Sequence, residues 1–286
     1  MTMSIANPDA LVSTDWLADH LSAPDVRVVD ASWFLPKQNR NAREEYEAGH
    51  IPGAVFFDID DIADTESGLP HMLPPPEKFS SKVRKLGLGN GNRIVVYDSN
   101  NYAASARVWW MFRTFGHTDI SVLDGGLPKW LREGRPVEDL PPVPRTRHFV
   151  ARFNRLLLRD YDHVLANVES QHEQLIDARP APRFRGEVPE PRPCPLQGHI
   201  PGAVNIPSSE LIDEAAHTLL APDALRARFD AAGIDPKRPT VVGCGSGVTA
   251  CIVALGLHLI GANEVAVYDG SWAEWGNREG SPVVKG

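Results

Sequence analysis

Cysteine is scarce in this chain, basic charge is in deficit, and no stretch is long and apolar enough to span a bilayer. The three cysteines among 286 residues stand at 194, 244 and 251. They are too few for a disulfide framework, and no Cys-x-x-Cys pair starts a structural zinc site. Lysine and arginine number 29 against 37 aspartates and glutamates, a net charge of −8. Nothing supplies the basic stripe that a nucleic acid would need. The longest apolar run, 248–260, is too short to cross a membrane and contains His258. Residues 1–10 show no basic region followed by an apolar run, so no secretory signal is read there. The expectation is a soluble cytoplasmic protein of a reducing compartment, with no nucleic-acid or membrane partner and no metal.

The chain does have the same text twice. Gly49-His50-Ile51-Pro52-Gly53-Ala54-Val55 returns as Gly198-His199-Ile200-Pro201-Gly202-Ala203-Val204. Val29-Asp30-Ala31 returns as Ile176-Asp177-Ala178, and Val95-Val96-Tyr97-Asp98 as Val241-Val242-Gly243-Cys244. Val122-Leu123-Asp124-Gly125-Gly126 with Trp130 matches Val267-Tyr268-Asp269-Gly270-Ser271 with Trp275. Four blocks in one order, each roughly 147 residues from its copy, indicate a duplicated domain. Hydrophobic content of 42% and charged content of 23% suit two globular units. The stretch 134–147 holds Pro136, Pro141, Pro142 and Pro144, so it breaks helix and central strand alike. The expected layout is a first domain over 10–135, a linker over 136–158 and a second domain over 159–286. Cys244 falls where the first copy has Asp98, which makes the second domain the chemical one and the first its support.

Each copy alternates short β-branched runs with helical patterns. Strands are expected at Val26–Asp30, 54–57, Arg93–Tyr97 and Ile120–Leu123, then at Gln174–Asp177, 203–206, Thr240–Gly243 and Val265–Tyr268. Helices are expected over 103–115, with Trp109, Trp110, Phe112 and Phe115 as a buried stripe, and over 248–260, apolar almost all round and ending near Gly261. The fold class is α/β, each domain a parallel sheet flanked by helices on both faces. The Pro- and Arg-rich stretch 180–195 lacks periodicity and reads as a long functional loop.

The chemistry gathers at Cys244-Gly245-Ser246-Gly247-Val248-Thr249, between a strand and an apolar helix. Ligands of open parallel sheets sit at the carboxyl ends of strands. Gly245 and Gly247 allow a tight turn that aims backbone N–H groups at one point, and the helix adds its positive end. A cysteine there should favour its thiolate: a free thiol of pKa about 8.5 is only a few per cent ionised at neutral pH. A cysteine phosphatase closes its dianion cradle with an arginine six positions on, where this chain has Ala250. The loop carries no Lys or Arg, so a substrate whose charge sits on the cysteine, such as phosphate or thiosulfate, is poorly served. Arg179, Arg183, Arg185 and Arg192 instead crowd the stretch 180–195 and its edge. Their forks would suit the carboxylate of a small 2-oxo acid with its sulfur at Cys244, or they would pair with Glu187 and Glu190; both readings stand. Asp58, Asp60, Asp61 and His71 lie in the first copy, where His71 is either an exposed loop residue or, with Ser246 and an aspartate, part of a proton relay. Cys251 reads as core and Cys194 as a loop residue.

These residues resemble the tandem-domain rhodanese family and, within it, the 3-mercaptopyruvate sulfurtransferases. The likeness rests on the Gly-His-Ile-Pro-Gly block in each half and on the loop 244–249, and runs over about residues 10–284. It implies two rhodanese-like domains. It implies Cys244 as the nucleophile that becomes a persulfide in a cradle of Gly245, Gly247, Val248 and Thr249. Arg183 and Arg192 match the family's substrate-binding arginines, and Asp60 and His71 match the partners of its loop serine, here Ser246. The thiosulfate-using branch carries basic residues where Gly245 and Ser246 stand. The implied reaction is ping-pong: Cys244 takes sulfur from 3-mercaptopyruvate, pyruvate leaves, and a small thiol, a thioredoxin-like protein or cyanide accepts the sulfur. No metal or organic cofactor is implied. The alternatives are a thiosulfate sulfurtransferase and a non-enzymatic persulfide carrier or binding module.

Overall fold

The computed structural model describes residues 6–262 and 264–286; the first five residues, part of the stretch read for a signal, lie outside them. The first half builds β1 (Leu11–Val12), β2 (Val26–Asp30), β3 (Val55–Phe56), β4 (Arg93–Tyr97) and β5 (Ile120–Leu123). They form a parallel sheet in the order β1-β5-β4-β2-β3. The second half builds β6 (Leu158–Arg159), β7 (Gln174–Asp177), β8 (Ala203–Asn205), β9 (Ile212–Asp213), β10 (Thr218–Leu219), β11 (Thr240–Gly243) and β12 (Val265–Tyr268). Its parallel sheet runs β6-β12-β11-β7-β8, while β9 and β10 pair as a small antiparallel hairpin. The central strands of both sheets are buried on both faces, the state in which a strand reads as a continuous apolar run.

The repeated blocks hold the same joints in each half. The His50 backbone pairs with Glu138 and the His199 backbone with Val284, each tying the loop before β3 or β8 to the segment that follows the last helix of its half. Trp130 donates its indole N–H to Pro136 and Trp275 to Pro282, closing the same joint from the other side. Asp30 and Asp177 end level with the last residues of β4 and β11 and accept the N–H of Ser32 and Arg179, turning the chain away from the sheet.

The two halves share one apolar core. The helices Ala103–Thr114 and Ala250–Leu259 are buried on nearly every side and pack on one another, merging Trp109, Trp110 and Phe112 with Leu255 and Leu257 in a single cluster. Each such side chain withdrawn from water contributes roughly 1.5–3 kcal/mol. Among the described residues no helix is long and apolar enough to cross a membrane. Three sequence expectations need correction. The strands expected at 54–57 and 203–206 are shorter, and the edge strands β1 and β6 were not read at all because two residues carry no period. The helix expected from residue 248 starts at Ala250, since residues 244–249 are held as a turn around Cys244. The stretch 180–195 is not loop throughout: Ala181–Phe184 forms a helical turn begun by Pro180 and Pro182.

Candidate active site

Cys244 is the first residue past β11, the middle strand of the second sheet, and is 3% exposed. Its N–H donates to Ser271 Oγ and its carbonyl accepts from Trp272, so its backbone is fixed from the strand side. The next five backbone N–H groups, residues 245–249, have no hydrogen-bond acceptor among the described residues. A turn of unused donors beside a thiol can cradle an anion there. The loop contains no charged side chain, as the sequence indicated.

A cavity of about 400 Å³ opens onto Cys244, Gly245 and Ser246. Arg183 and Arg192 line it close beside the turn, and the first half contributes Trp33, Leu69 and Pro70. The two arginines differ in what holds them. Arg183 donates through Nε (3.1 Å) and Nη2 to Glu190, whose side chain is 8% exposed and also pairs with Arg179 at 2.8 Å. Arg185 pairs with Glu187. The ion-paired reading of this stretch therefore holds for Arg179, Arg183 and Arg185. Among the described residues Arg192 has no carboxylate within ion-pair distance: it donates to His71 Nε2 at 3.0 Å and to Ser246 Oγ at 3.5 Å. Burial pushes the Arg192 pKa down, and the charges of Asp60 and Cys244 only partly offset it. Arg183 lies hard against the turn, since a Cβ on Gly245 would meet its Nη2 at 2.8 Å. Only glycine leaves room for that approach.

His71 is buried, not an exposed loop residue. Because an arginine only donates, His71 Nε2 is the acceptor and its ring proton belongs on Nδ1. Nδ1 faces Asp60 Oδ1 at 2.8 Å, at an angle too bent for a well-formed hydrogen bond. Asp60 also accepts from Trp33 Nε1 at 2.9 Å. Burial tends to raise the Asp60 pKa, but His71, Trp33 and Arg192 outweigh it and hold the carboxyl below the usual range. Asp60, His71 and Ser246 thus meet, with Arg192 between His71 and the serine. Trp33 and Glu190 complete the site. Trp33 did not stand out in the sequence, because an indole carries no spacing signal, whereas Glu190 was one of the two carboxylates read as partners of the arginines. Cys194 lines the same cavity, whereas Cys251 is fully buried and bonds to the Gly247 carbonyl. Among the described residues no group of three or more His, Cys, Asp or Glu is arranged to hold a metal.

The rhodanese-like domain family matches residues 13–133 and 160–278. The 3-mercaptopyruvate sulfurtransferase of Escherichia coli (strain K12) is 45% identical over 274 residues, covering 95% of this chain and 96% of that one. The thiosulfate sulfurtransferase of Rattus norvegicus is 45% identical over 276 residues, covering 94% and 92%. The crystal structure of SseA from Escherichia coli, described as a 3-mercaptopyruvate sulfotransferase, superimposes with a TM-score of 0.84 at 43% identity, covering 92% of this chain and 98% of that one. With both halves matched to that domain and the likeness to tandem-domain sulfurtransferases running nearly end to end, the chain belongs to the rhodanese family.

Proposed function

We propose that the chain is a 3-mercaptopyruvate sulfurtransferase that passes sulfur through a persulfide on Cys244. The observation that carries this reading is Arg192, a half-buried cation that has no carboxylate partner among the described residues and lines one cavity with the neutral cysteine turn. A substrate with its anion at one end and its sulfur at the other fits that separation of charge. Arg192, with the donors Arg183 does not spend on Glu190, takes the carboxylate; Cys244 meets the sulfur.

The thiolate of Cys244 attacks the substrate sulfur, and the new S–S bond forms as the C–S bond breaks. The electron pair passes to the adjacent carbonyl, and pyruvate leaves as its enolate, which then takes a proton on carbon. Ser246, with His71 and Asp60 behind Arg192, organises that proton transfer. The outer sulfur rests against the N–H groups of Gly245, Gly247, Val248 and Thr249. An acceptor thiolate attacks it, forms its own persulfide and returns Cys244 as thiolate. A small dithiol or a thioredoxin-like protein is the acceptor we favour, and the cytoplasm the setting. The first domain, 10–135, is non-catalytic, and residues 136–158 link it to the catalytic domain, 159–286.

Thiosulfate use is the second reading, favoured by the 45% identity to the rat thiosulfate sulfurtransferase. The test measures pyruvate release from 3-mercaptopyruvate with a dithiol beside thiocyanate formation from thiosulfate and cyanide, for wild type and Cys244→Ser. Faster mercaptopyruvate turnover, abolished in the variant, supports the proposal. A better rate with thiosulfate transfers it to the second reading. No turnover of either leaves a persulfide carrier.

A further inference from the structure

Arg107 is a charged side chain at the heart of the interface between the halves, and nothing in the reaction described above uses it. It is 1% exposed, and its partner Asp269 is 3% exposed. It rises from the first-half helix Ala103–Thr114 and spends its fork on three groups. Nη1 donates to Asp269 Oδ1 at 2.6 Å and to the Gly247 carbonyl at 3.2 Å; Nη2 donates to the His71 carbonyl. Asp269 uses its second oxygen to accept the N–H of Leu73 at 2.7 Å. The buried Cys251 thiol also reaches the Gly247 carbonyl, at 3.3 Å. One ion pair therefore holds both sides of the site: the turn carrying Cys244 and Ser246, and the loop carrying His71.

Both segments need holding. His71 sits at φ +62, and Gly247 at φ +74 with no room for a side chain against Asp269. A non-glycine residue in that region persists only where its surroundings over-determine it. The other copy supplies a control. His217 has φ +57, and the N–H of Leu219 is accepted by Asp124 at 3.1 Å, the pattern of His71, Leu73 and Asp269 repeated. There the aspartate is closed by the Tyr102 hydroxyl, and Val253 stands in the repeat position of Arg107. A loop of this kind folds onto its neighbour without an arginine. The arginine is confined to the copy that covers Cys244.

We propose that Arg107 and Asp269 form a buried clamp that sets the His71 loop against the Cys244 turn, making Arg107 a positioning residue for sulfur transfer although it does not line the cavity. The effect on turnover rests on the sulfurtransferase reading above; the clamp itself does not. The test compares wild type with Arg107→Met combined with Asp269→Asn, a neutral pair that keeps an acceptor for Leu73. Exchanging a buried ion pair for neutral groups of similar volume is commonly tolerated. Expected is a fall of about 100-fold in kcat for 3-mercaptopyruvate with KM little changed, the cost of misplacing reacting groups by about an ångström. Hydrogen exchange should quicken by about tenfold or more at N–H groups bonded within the two segments, those of Asp64 and Leu73 for the His71 loop and those of Cys251, Ile252 and Ala273 for the Cys244 turn, and nowhere else. Should the neutral pair fail to fold, Arg107→Lys keeps the charge but cannot span both carbonyls, and the same split between kcat and KM is expected of it. Wild-type kcat in a folded variant, or unchanged exchange in the two segments, overturns the clamp. If wild type itself does not turn over mercaptopyruvate, the function fails and the exchange comparison alone decides.

Discussion

Asp98 stands where Cys244 stands, one residue past the middle strand of its sheet, and fills with its carboxylate the turn that Cys244 leaves open. Asp98 Oδ1 accepts the N–H of Asn100 and Tyr102, at 2.9 and 3.1 Å, and Oδ2 those of Ala104 and Ser105, at 3.1 and 2.8 Å. The first half thus shows what such a turn does with an anion: four N–H groups converge on it. In the second half the Cys244 side chain stands in that place and is one atom shorter than the aspartate side chain. A persulfide adds that atom.

The two arginines should separate in their kinetics. Arg192 lacks a carboxylate partner among the described residues, whereas Arg183 shares Glu190 with Arg179. Losing charge-assisted bonds worth about 1.5–3 kcal/mol predicts a fall of about 10- to 150-fold in kcat/KM for Arg192→Ala. Arg183→Ala should cost less and act mainly on KM. Steady-state kinetics with 3-mercaptopyruvate check the order; equal losses would mean that Glu190 does not restrain Arg183.

Two glycines three atoms of backbone apart should fail in different ways. A Cβ on Gly245 meets only the tip of Arg183, which can swing aside. Gly245→Ala should fold as wild type and raise KM. A Cβ on Gly247 would lie 2.7 Å from the Asp269 carbonyl, on a residue already at φ +74. Gly247→Ala should lower Tm, with a cost of about 1–3 kcal/mol, and lose turnover as well. Thermal melts beside the kinetics tell the two apart.

The repeat, the central strands and the thiol were legible because each leaves a mark in the order of residues. Apolar runs buried on both faces wrote β2, β4, β7 and β11 into the sequence to the residue. The way each half reaches over the other was not legible. His71 and His217 occupy equivalent places, yet each covers the turn of the opposite copy, a relation that depends on how two sheets dock. The same limit hid Arg107, a mid-helix arginine whose partners lie 36 to 162 residues away. It also left the state of Arg183 open, because a stretch with arginines and glutamates at similar spacing does not say which pairs close.

Stability should fall in mild acid, and one residue contributes a predictable part. Burial, and then the charge of Arg113, pushes the His258 pKa down to about 4. An unfolded histidine titrates near 6.5. Between those values the unfolded chain binds a proton that the folded chain refuses, so stability present above about pH 6.5 is lost as pH falls towards 4, by roughly 2–3 kcal/mol. His258→Gln should flatten that part of the curve. Denaturant melts at pH 7, 5.5 and 4 measure it, and an unchanged slope would place the acid sensitivity elsewhere.

A cysteine at position 98 should not make a second active site. The cavity over Asp98 is about 10 Å³, against about 400 Å³ over Cys244. Among the described residues no arginine lines it, and His217 takes the place that His71 has in the other half. Asp98→Cys in a Cys244→Ser background keeps the N–H groups and supplies a thiol, but offers the substrate carboxylate neither room nor partner. The expected outcome is no pyruvate release, and no gain of one sulfur mass on the protein after mixing with 3-mercaptopyruvate. Asp98→Cys alone should keep the wild-type rate while melting lower, because four N–H groups lose a charged acceptor. Turnover in the double variant would show that the turn suffices for sulfur transfer and that the arginines and the His71 loop only tune it.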